Sequence, residues 1–290
     1  MSTLASVNRL LPLLPAALPI ALFLILWVLL YLPLGTVARA ARSLTRAGAA
    51  RALQSRFGKW AVKQSVRDGL RPYAPVLLLV AIGAVAAFVA GFGFVELSER
   101  LRLTASAVYR LDQFVESWFQ HARQPGWTIL FSACAAVGGT IGMWTLGAAV
   151  SAVLLYRGER PSAAYVLVTI VGGALVNLGL KALFARARPD LSLAIAPAQW
   201  YSFPSGHAMG SFIACGAVSY IAMRQRWPWK VKSAALAAAA TIVVLVGLSR
   251  VYLGVHWASD IAGGWAAATV WLAATTIAFE MLLVRLTRSQ

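Results

Sequence analysis

The stretch SAALAAAATIVVLVGLSRVYLGVHWASD, residues 233–260, sets seventeen uncharged residues, Ser233 to Ser249, directly ahead of Arg250, His256 and Asp260. A run of that length, at about 1.5 Å of rise per helical residue, is close to what a bilayer's hydrocarbon core requires. Comparable uncharged runs lie on both sides: Leu10–Ala38, Tyr73–Val95, Gln124–Tyr156, Pro161–Leu180, Leu191–Met223 and Ile261–Phe279. Of the 290 residues, 60% are apolar and 12% are Asp, Glu, Lys or Arg. That balance excludes an ordinary water-soluble globule and predicts an all-α polytopic membrane helix bundle. Cys134 and Cys215 both sit inside apolar runs with no CxxC pair. They suggest neither a disulfide framework nor a zinc site, and read as small buried hydrophobes.

The 26 Lys and Arg against 9 Asp and Glu give a net charge of +17, which in a soluble chain would raise nucleic acid as a partner. Their positions point to a membrane instead. Nine basic residues fall between Arg39 and Arg71, offset only by Asp68. A basic segment tethered between two spans marks the cytoplasmic side and an anionic lipid surface. With that segment inside, alternation places Arg157–Arg160, Arg224–Lys232 and the tail with Arg285 and Arg288 inside too, for 17 of the 26 cations. Glu96–Arg123 falls outside, is balanced in charge, and reads as one or two amphipathic surface helices. The expectation is seven spans with the N-terminus outside: residues 1–72 add a span and a basic segment to a six-span core at 73–290.

The first apolar run is too long for a signal-peptide core and has no clean cleavage site, so it is read as a span. A hairpin broken near Pro12, Pro15 and Pro19 is the other reading. Within the basic segment, Leu53, Phe57 and Trp60 recur at helical spacing opposite Arg56, Lys59, Lys63 and Arg67. This fits a helix in the headgroup plane, or equally a solvated linker.

Ionisable groups at span ends are costly, so their placement calls for a reason. Lys181 and Arg188 close the fourth span in KALFARARP, Ser205 to His207 open the fifth in FPSGH, and Arg250, His256 and Asp260 lie between the sixth and seventh. By parity of crossings all three clusters share the outer face. Lys181 and Arg188 are seven apart, nearly two helical turns, so both cations could point one way until Pro189 stops the helix. They suit a clamp on anionic oxygens, with Arg250 as a third cation. Ser205 and Gly206 read as a helix start, with a capping hydroxyl, room for a ligand at the backbone, and free N–H groups that favour an anion.

His256 and Asp260, spaced i, i+4, would let the carboxylate fix the imidazole tautomer while the other nitrogen attacks phosphorus. His207 could then give a proton to the leaving oxygen, and water would discharge the phosphohistidine. Asp190 and Asp260 are the acids within these motifs, too few for a magnesium or calcium site, so no cofactor is expected and the cations must stabilise the developing charge.

In order and spacing, Lys181 with Arg188 and Pro189, Pro204 to His207, and Ser249, Arg250, His256 and Asp260 resemble the signature of the type 2 phosphatidic acid phosphatase family. These are membrane lipid phosphate phosphatases related to the vanadium haloperoxidases. The resemblance covers roughly residues 73–279 and implies a six-helix core, leaving the first 72 residues unexplained. It implies His256 as nucleophile, Asp260 as its orienting group and His207 as acid. Lys181, Arg188, Ser205, Gly206 and Arg250 would hold the phosphoryl group. It further implies metal-independent hydrolysis on the extracytoplasmic face of the plasma membrane. Bacterial members act on undecaprenyl diphosphate, phosphatidylglycerophosphate, phosphatidate or lipid A phosphates, and polyprenyl diphosphate is weakly favoured.

Other residues take plainer readings. His121 reads as a hydrogen-bonded surface histidine, and Arg186 as either a surface charge or a headgroup contact. Tyr252 and Trp257 read as interfacial anchors, with a lipid-tail entrance as the other reading, and Trp227 and Trp229 as anchors. Two further functions use the same residues: a phosphotransferase passing the phosphoryl group to a lipid or sugar hydroxyl, and a non-catalytic carrier of anionic lipid. The carrier leaves the pairing of His256 with Asp260 unexplained.

Overall fold

The computed structural model describes residues 74–101 and 106–288, together with Leu22, Phe23 and Ile25. Apart from those three residues, the expected first span and the basic surface helix around Leu53, Phe57 and Trp60 lie outside the described residues. Among the described residues there are eight α-helices and no strand. They are α1 (Ala74–Arg100), α2 (Ala107–His121), α3 (Pro125–Gly138), α4 (Thr140–Tyr156), α5 (Arg160–Phe184), α6 (Gly206–Arg224), α7 (Trp229–Tyr252) and α8 (Ala258–Arg288). The helices α1, α5, α6, α7 and α8 are each long and apolar enough to cross a membrane, and α3 and α4, joined at a 50° bend, are so only when taken together. The chain is a multi-pass membrane protein.

Two of the uncharged runs are not single helices. Gln124–Tyr156, expected as one span, breaks at Gly139, whose backbone is extended (φ −70°, ψ 172°). Two adjacent glycines give the helix little reason to continue through this point. Of Leu191–Met223, the long helix occupies only the part after Ser205, whose hydroxyl accepts from Ala208 N at 3.5 Å. The preceding segment is irregular, with one short 3-10 turn at Leu191–Leu193 that Asp190 caps.

At the centre stands α6, with Ala208, Met209, Ile213, Ala214 and Ala217 essentially without exposure. Val166 and Ile170 of α5, Ala267 and Ala268 of α8, and Met143 of α4 share its core. Lipid tails are as apolar as leucine, so burial of apolar area does not by itself hold such helices together, and close contact through small residues must contribute. The sequence supplies them: a Cβ added to Gly173 would lie 2.5 Å from Ile213 Cδ1, and one on Gly138 would lie 2.3 Å from both methyl carbons of Val246. The outward faces keep large side chains such as Phe88, Phe92, Ile141 and Leu175 exposed.

Polar contacts close both ends of the bundle. At one end Glu280, buried on α8, accepts from Tyr220 and Arg224 of α6, while Tyr165 and Thr276 hydroxyls meet at 2.8 Å. A carboxylate at that depth needs such partners. At the other end lies α2, capped by Ser106, packed on α7 and α8, with Leu111, Phe114 and Trp118 exposed along one stripe. This is the expected amphipathic surface helix. Cys215 is buried, whereas Cys134 is half-buried and less enclosed than its apolar run suggests.

Gly138→Ala should therefore separate α3 from α7, because Val246 is short, branched and unable to swing aside. A loss of about 1–3 kcal/mol, typical of overpacking, should appear as a lower thermal midpoint in detergent. Val246→Ala should restore part of it in the double variant.

Candidate active site

The break between α3 and α4, the ends of α5, α6 and α7, and the turn ahead of α8 converge on one cavity of about 390 Å3. Lys181, Arg188, Gly206, His207, Arg250 and His256 line its polar side, while Met143, Trp144, Ile170 and Leu178 form an apolar wall. Residues from three separate sequence clusters thus meet on one face. Ser205 and Asp260 do not line the cavity: both are fully buried behind it, joined by Ser205 N donating to Asp260 O at 3.0 Å.

Arg188 reaches the cavity by a route other than the expected helix. The helix α5 ends at Phe184, where Ala185 takes a left-handed conformation (φ 46°, ψ 33°) and its N–H bonds Lys181 O. Beyond it, Ser202 supplies the donors that a further helical turn would have supplied. Its Oγ donates to Arg186 O and Ala187 O at 3.2 and 2.9 Å, and its N–H donates to Arg186 O at 2.9 Å. From this loop Arg188 donates to the carbonyls of Trp200, Gln199 and Val255 at 2.9, 2.8 and 2.6 Å. Lys181 Nζ donates to the carbonyls of Tyr201 and Ser202 at 2.7 and 3.2 Å. Burial, opposed by the Asp260 charge, draws the Arg188 guanidinium below its usual value. Arg250 is 6% exposed, and its Nε is buried with no acceptor, so a strong donor is left over beside the cavity.

Gly206 fits a tight space, because an added Cβ would meet Asn177 Oδ1 at 3.0 Å and Lys181 Cε at 3.9 Å. His207, in the first turn of α6, looks toward the break between α3 and α4, where a Cβ on Gly139 would come within 3.5 Å of its Nε2. The bend in that span is therefore part of the cavity wall.

His256 and Asp260 are paired, although not within one helix as their spacing suggested. The helix α8 starts at Ala258, after His256, and the pair closes over its first turn with Nδ1 3.1 Å from Oδ2. The same Oδ2 accepts from Trp257 N at 2.9 Å, the reach-back that satisfies a free N–H at a helix start. The connecting turn passes through Gly254 in the left-handed region (φ 73°), a conformation in which a side chain would be strained. Arg188 NH1 lies 3.2 Å from the other ring nitrogen, Nε2. A guanidinium has no lone pair to offer, so this contact requires the lone pair on Nε2 and the proton on Nδ1, donated to Asp260. Burial, reinforced by Arg188 and Lys181 and opposed by Asp260, pushes the His256 imidazole down to about 4.

The PAP2 superfamily model matches residues 162–283, which hold α5 to most of α8 and every motif residue above. Over those residues this helical core is similar to the PAP2 superfamily. Phosphatidylglycerophosphatase B of Bacillus subtilis (strain 168) is 29% identical over 161 residues, 55% of this chain and 78% of the relative. An undecaprenyl-diphosphatase of Sulfolobus acidocaldarius is 40% identical over 65 residues, 22% of this chain and 27% of that relative. Among solved structures, the transmembrane PAP2-type phosphatidylglycerolphosphate phosphatase from Bacillus subtilis superimposes with a TM-score of 0.61. It is 26% identical over 66% of this chain and 94% of its own.

Around this cavity several plainer readings need correcting. Arg186 is not a surface charge. Its side chain is 14% exposed and bonds Asp260 Oδ1 at 2.6 Å, Asp112 Oδ2 at 2.8 Å and Ser259 Oγ at 2.7 Å. Asp112, read as one charge of a balanced outer stretch, is 1% exposed. The available signal was the place of Asp112 on the side of α2 opposite the exposed Leu111, Phe114 and Trp118. Tyr252 is no interfacial anchor: it is buried, with its hydroxyl 3.0 Å from Gln124 N and 2.9 Å from Thr128 Oγ1. Trp257 is half-buried and donates to Ala187 O at 3.1 Å. His121 bonds Ser117 O at 2.6 Å, as a surface histidine should.

The unpartnered Nε makes Arg250 the cation with most to gain from an anion. Arg250→Gln should weaken orthovanadate binding by about ten- to a hundredfold in calorimetric titration, the range for one charge-assisted hydrogen bond.

Proposed function

We propose that this chain is a membrane lipid phosphatase that hydrolyses the terminal phosphate of a lipid phosphate or diphosphate through a phosphohistidine on His256. The observation that carries the reading is the orientation of one imidazole: Nδ1 toward the buried Asp260, Nε2 toward the cationic cavity. A phosphate group is the anion whose charge and three free oxygens suit Lys181, Arg188 and Arg250 together. The apolar wall of Met143, Trp144, Ile170 and Leu178 suits the first part of a lipid tail.

In this reading the phosphoryl group draws the donors of Lys181 and Arg188 from the loop carbonyls, and the Nε2 lone pair of His256 attacks phosphorus. As the bond to the leaving oxygen breaks, His207 transfers its proton to that oxygen. Asp260 accepts from Nδ1 and balances the positive charge left on the phosphorylated ring. Water, deprotonated by His207, then attacks phosphorus, the P–N bond breaks, and phosphate departs. Ser205 and Gly206 set the first turn of α6, whose free N–H groups add to the anion field.

The lipids in the relatives' names, phosphatidylglycerophosphate and undecaprenyl diphosphate, differ widely in tail and headgroup. The substrate is accordingly proposed as a class, with phosphatidylglycerophosphate and polyprenyl diphosphate as first members to assay. The site is proposed to face the extracytoplasmic side of the plasma membrane. Arg157, Arg224 and Arg226 line a separate depression with Leu283 at the other end of the bundle, as a positive-inside arrangement requires.

Purified protein should release inorganic phosphate from these lipids in EDTA, since cations rather than carboxylates line the cavity, and orthovanadate should inhibit it. His256→Ala should lower turnover on the order of a thousandfold or more, the usual cost of losing a nucleophile. Full phosphate release by that variant would remove the mechanism.

The pH dependence has a definite sign. The nucleophile works without a proton, so kcat/KM should fall tenfold per unit as pH drops below the His256 value of about 4, while loss of the proton that His207 donates bends the profile down at its high-pH side. A stopped assay from pH 3 to 8 on dioctanoyl phosphatidate checks the limb.

A further inference from the structure

We infer that Asp112 and Arg186 form a charge latch that positions Asp260, and through it the His256 imidazole, from the surface helix α2. The inference rests on the role given to His256 above, and neither residue belongs to the motifs that led to that role.

The latch is a continuous set of bonds. Arg186 stands between two buried carboxylates, with NH1 on Asp260 Oδ1 at 2.6 Å and NH2 on Asp112 Oδ2 at 2.8 Å. Asp112 also accepts from Ser259 N at 2.8 Å and from the Ser259 hydroxyl, which binds it across 147 residues of chain. It therefore fixes the backbone of the residue next to Asp260. One carboxylate oxygen of Asp260 is left for His256 and Trp257, and the other is held by Arg186. Trp257 covers the guanidinium, its ring centroid 5.6 Å from the central carbon.

The arithmetic of charge makes this more than packing. Asp260 and Asp112 are at most 1% exposed, so each needs a compensating cation, and Arg186 is shared between them. A shared cation leaves Asp260 partly uncompensated and thus a better partner for a positive ring. With Arg186 given wholly to Asp260, the carboxylate would support the ring less; with Arg186 gone, it would support the ring more. The other charged or titratable groups facing the ring are Lys181 on α5, Arg188 in the loop, His207 on α6 and Arg250 on α7, and none of them bonds Asp112. The helix that bears Asp112 turns Leu111, Phe114 and Trp118 outward, so the latch runs from the outer surface of the bundle to the nucleophile.

The two ends of the latch should consequently act with opposite signs. The chain contains three histidines, so 15N-histidine spectra of the full chain in micelles resolve His256 once His121→Gln and His207→Gln identify the other two. Arg186→Gln should raise the protonation midpoint of His256 by about one pH unit or more, and Asp112→Asn should lower it. On dioctanoyl phosphatidate both should reduce kcat about ten- to a hundredfold with KM changed less than about twofold, as expected for a group acting through the nucleophile. Midpoints that stay put, or that move in the same direction, overturn the latch. Should Arg186→Gln fail to fold, Arg186→Lys keeps the charge but loses the two-sided fork, and the same rise in midpoint, smaller in size, is required. The spectra need no substrate: a wild-type protein that releases no phosphate defeats the proposed function while the midpoints still decide the latch.

Discussion

A carboxylate with no exposure, set in the first turn of a membrane helix, is the constraint around which this end of the molecule is built. Asp260 cannot be solvated where it lies, so every lone pair it uses must be answered by the protein. His256, Trp257 and Arg186 answer from three directions. Each answer fixes something else. Trp257 N sets the start of α8, Arg186 draws the loop after α5 inward, and the imidazole is left with its second nitrogen toward the cavity.

The membrane makes that arrangement harder and then easier. Apolar side chains gain little by leaving lipid for protein, so the helices must approach closely enough for dispersion to hold them. Glycines against Val246, Ile213 and Leu272 allow it. Close approach would leave no room for a substrate if every span were straight. The bend at Gly139 divides α3 from α4 beside His207, and the cavity opens there. One glycine pair thus serves both contact and vacancy, and the expectation of a single straight span from Gln124 to Tyr156 missed it because composition records length and hydropathy, not direction.

Much of the rest was readable because chemistry and position had to agree. Lys181, Arg188, His207, Arg250 and His256 stood out as ionisable groups at the ends of apolar runs, where burial is expensive and chance is a poor explanation. Their convergence followed from counting crossings. What escaped was whatever depended on tertiary contact. Arg186 lies two residues from Arg188 and has the same composition-level signature, yet only the fold shows that it meets Asp112, some seventy residues earlier. Tyr252 looked like an anchor because tyrosine at a span end usually is one; in the structure its hydroxyl is turned to the start of α3. The break of α5 at Phe184 was likewise invisible, since Pro189 offered a simpler terminator five residues later.

The cationic cup also shows why its charges are stable before any ligand arrives. Lys181 and Arg188 are already held by main-chain carbonyls of residues 199–202 and by Val255 O. Carbonyl dipoles are weaker acceptors than a phosphate dianion, so they can orient the donors and still yield them. The electrostatic field is thereby fixed in direction before charge develops on the reacting group, and little reorganisation remains for the reacting step. Arg250 differs in having an Nε that no carbonyl covers. A site with two satisfied cations and one unsatisfied donor gains most from an anion that reaches all three, and least from a smaller anion that can meet the carbonyl-bound pair alone.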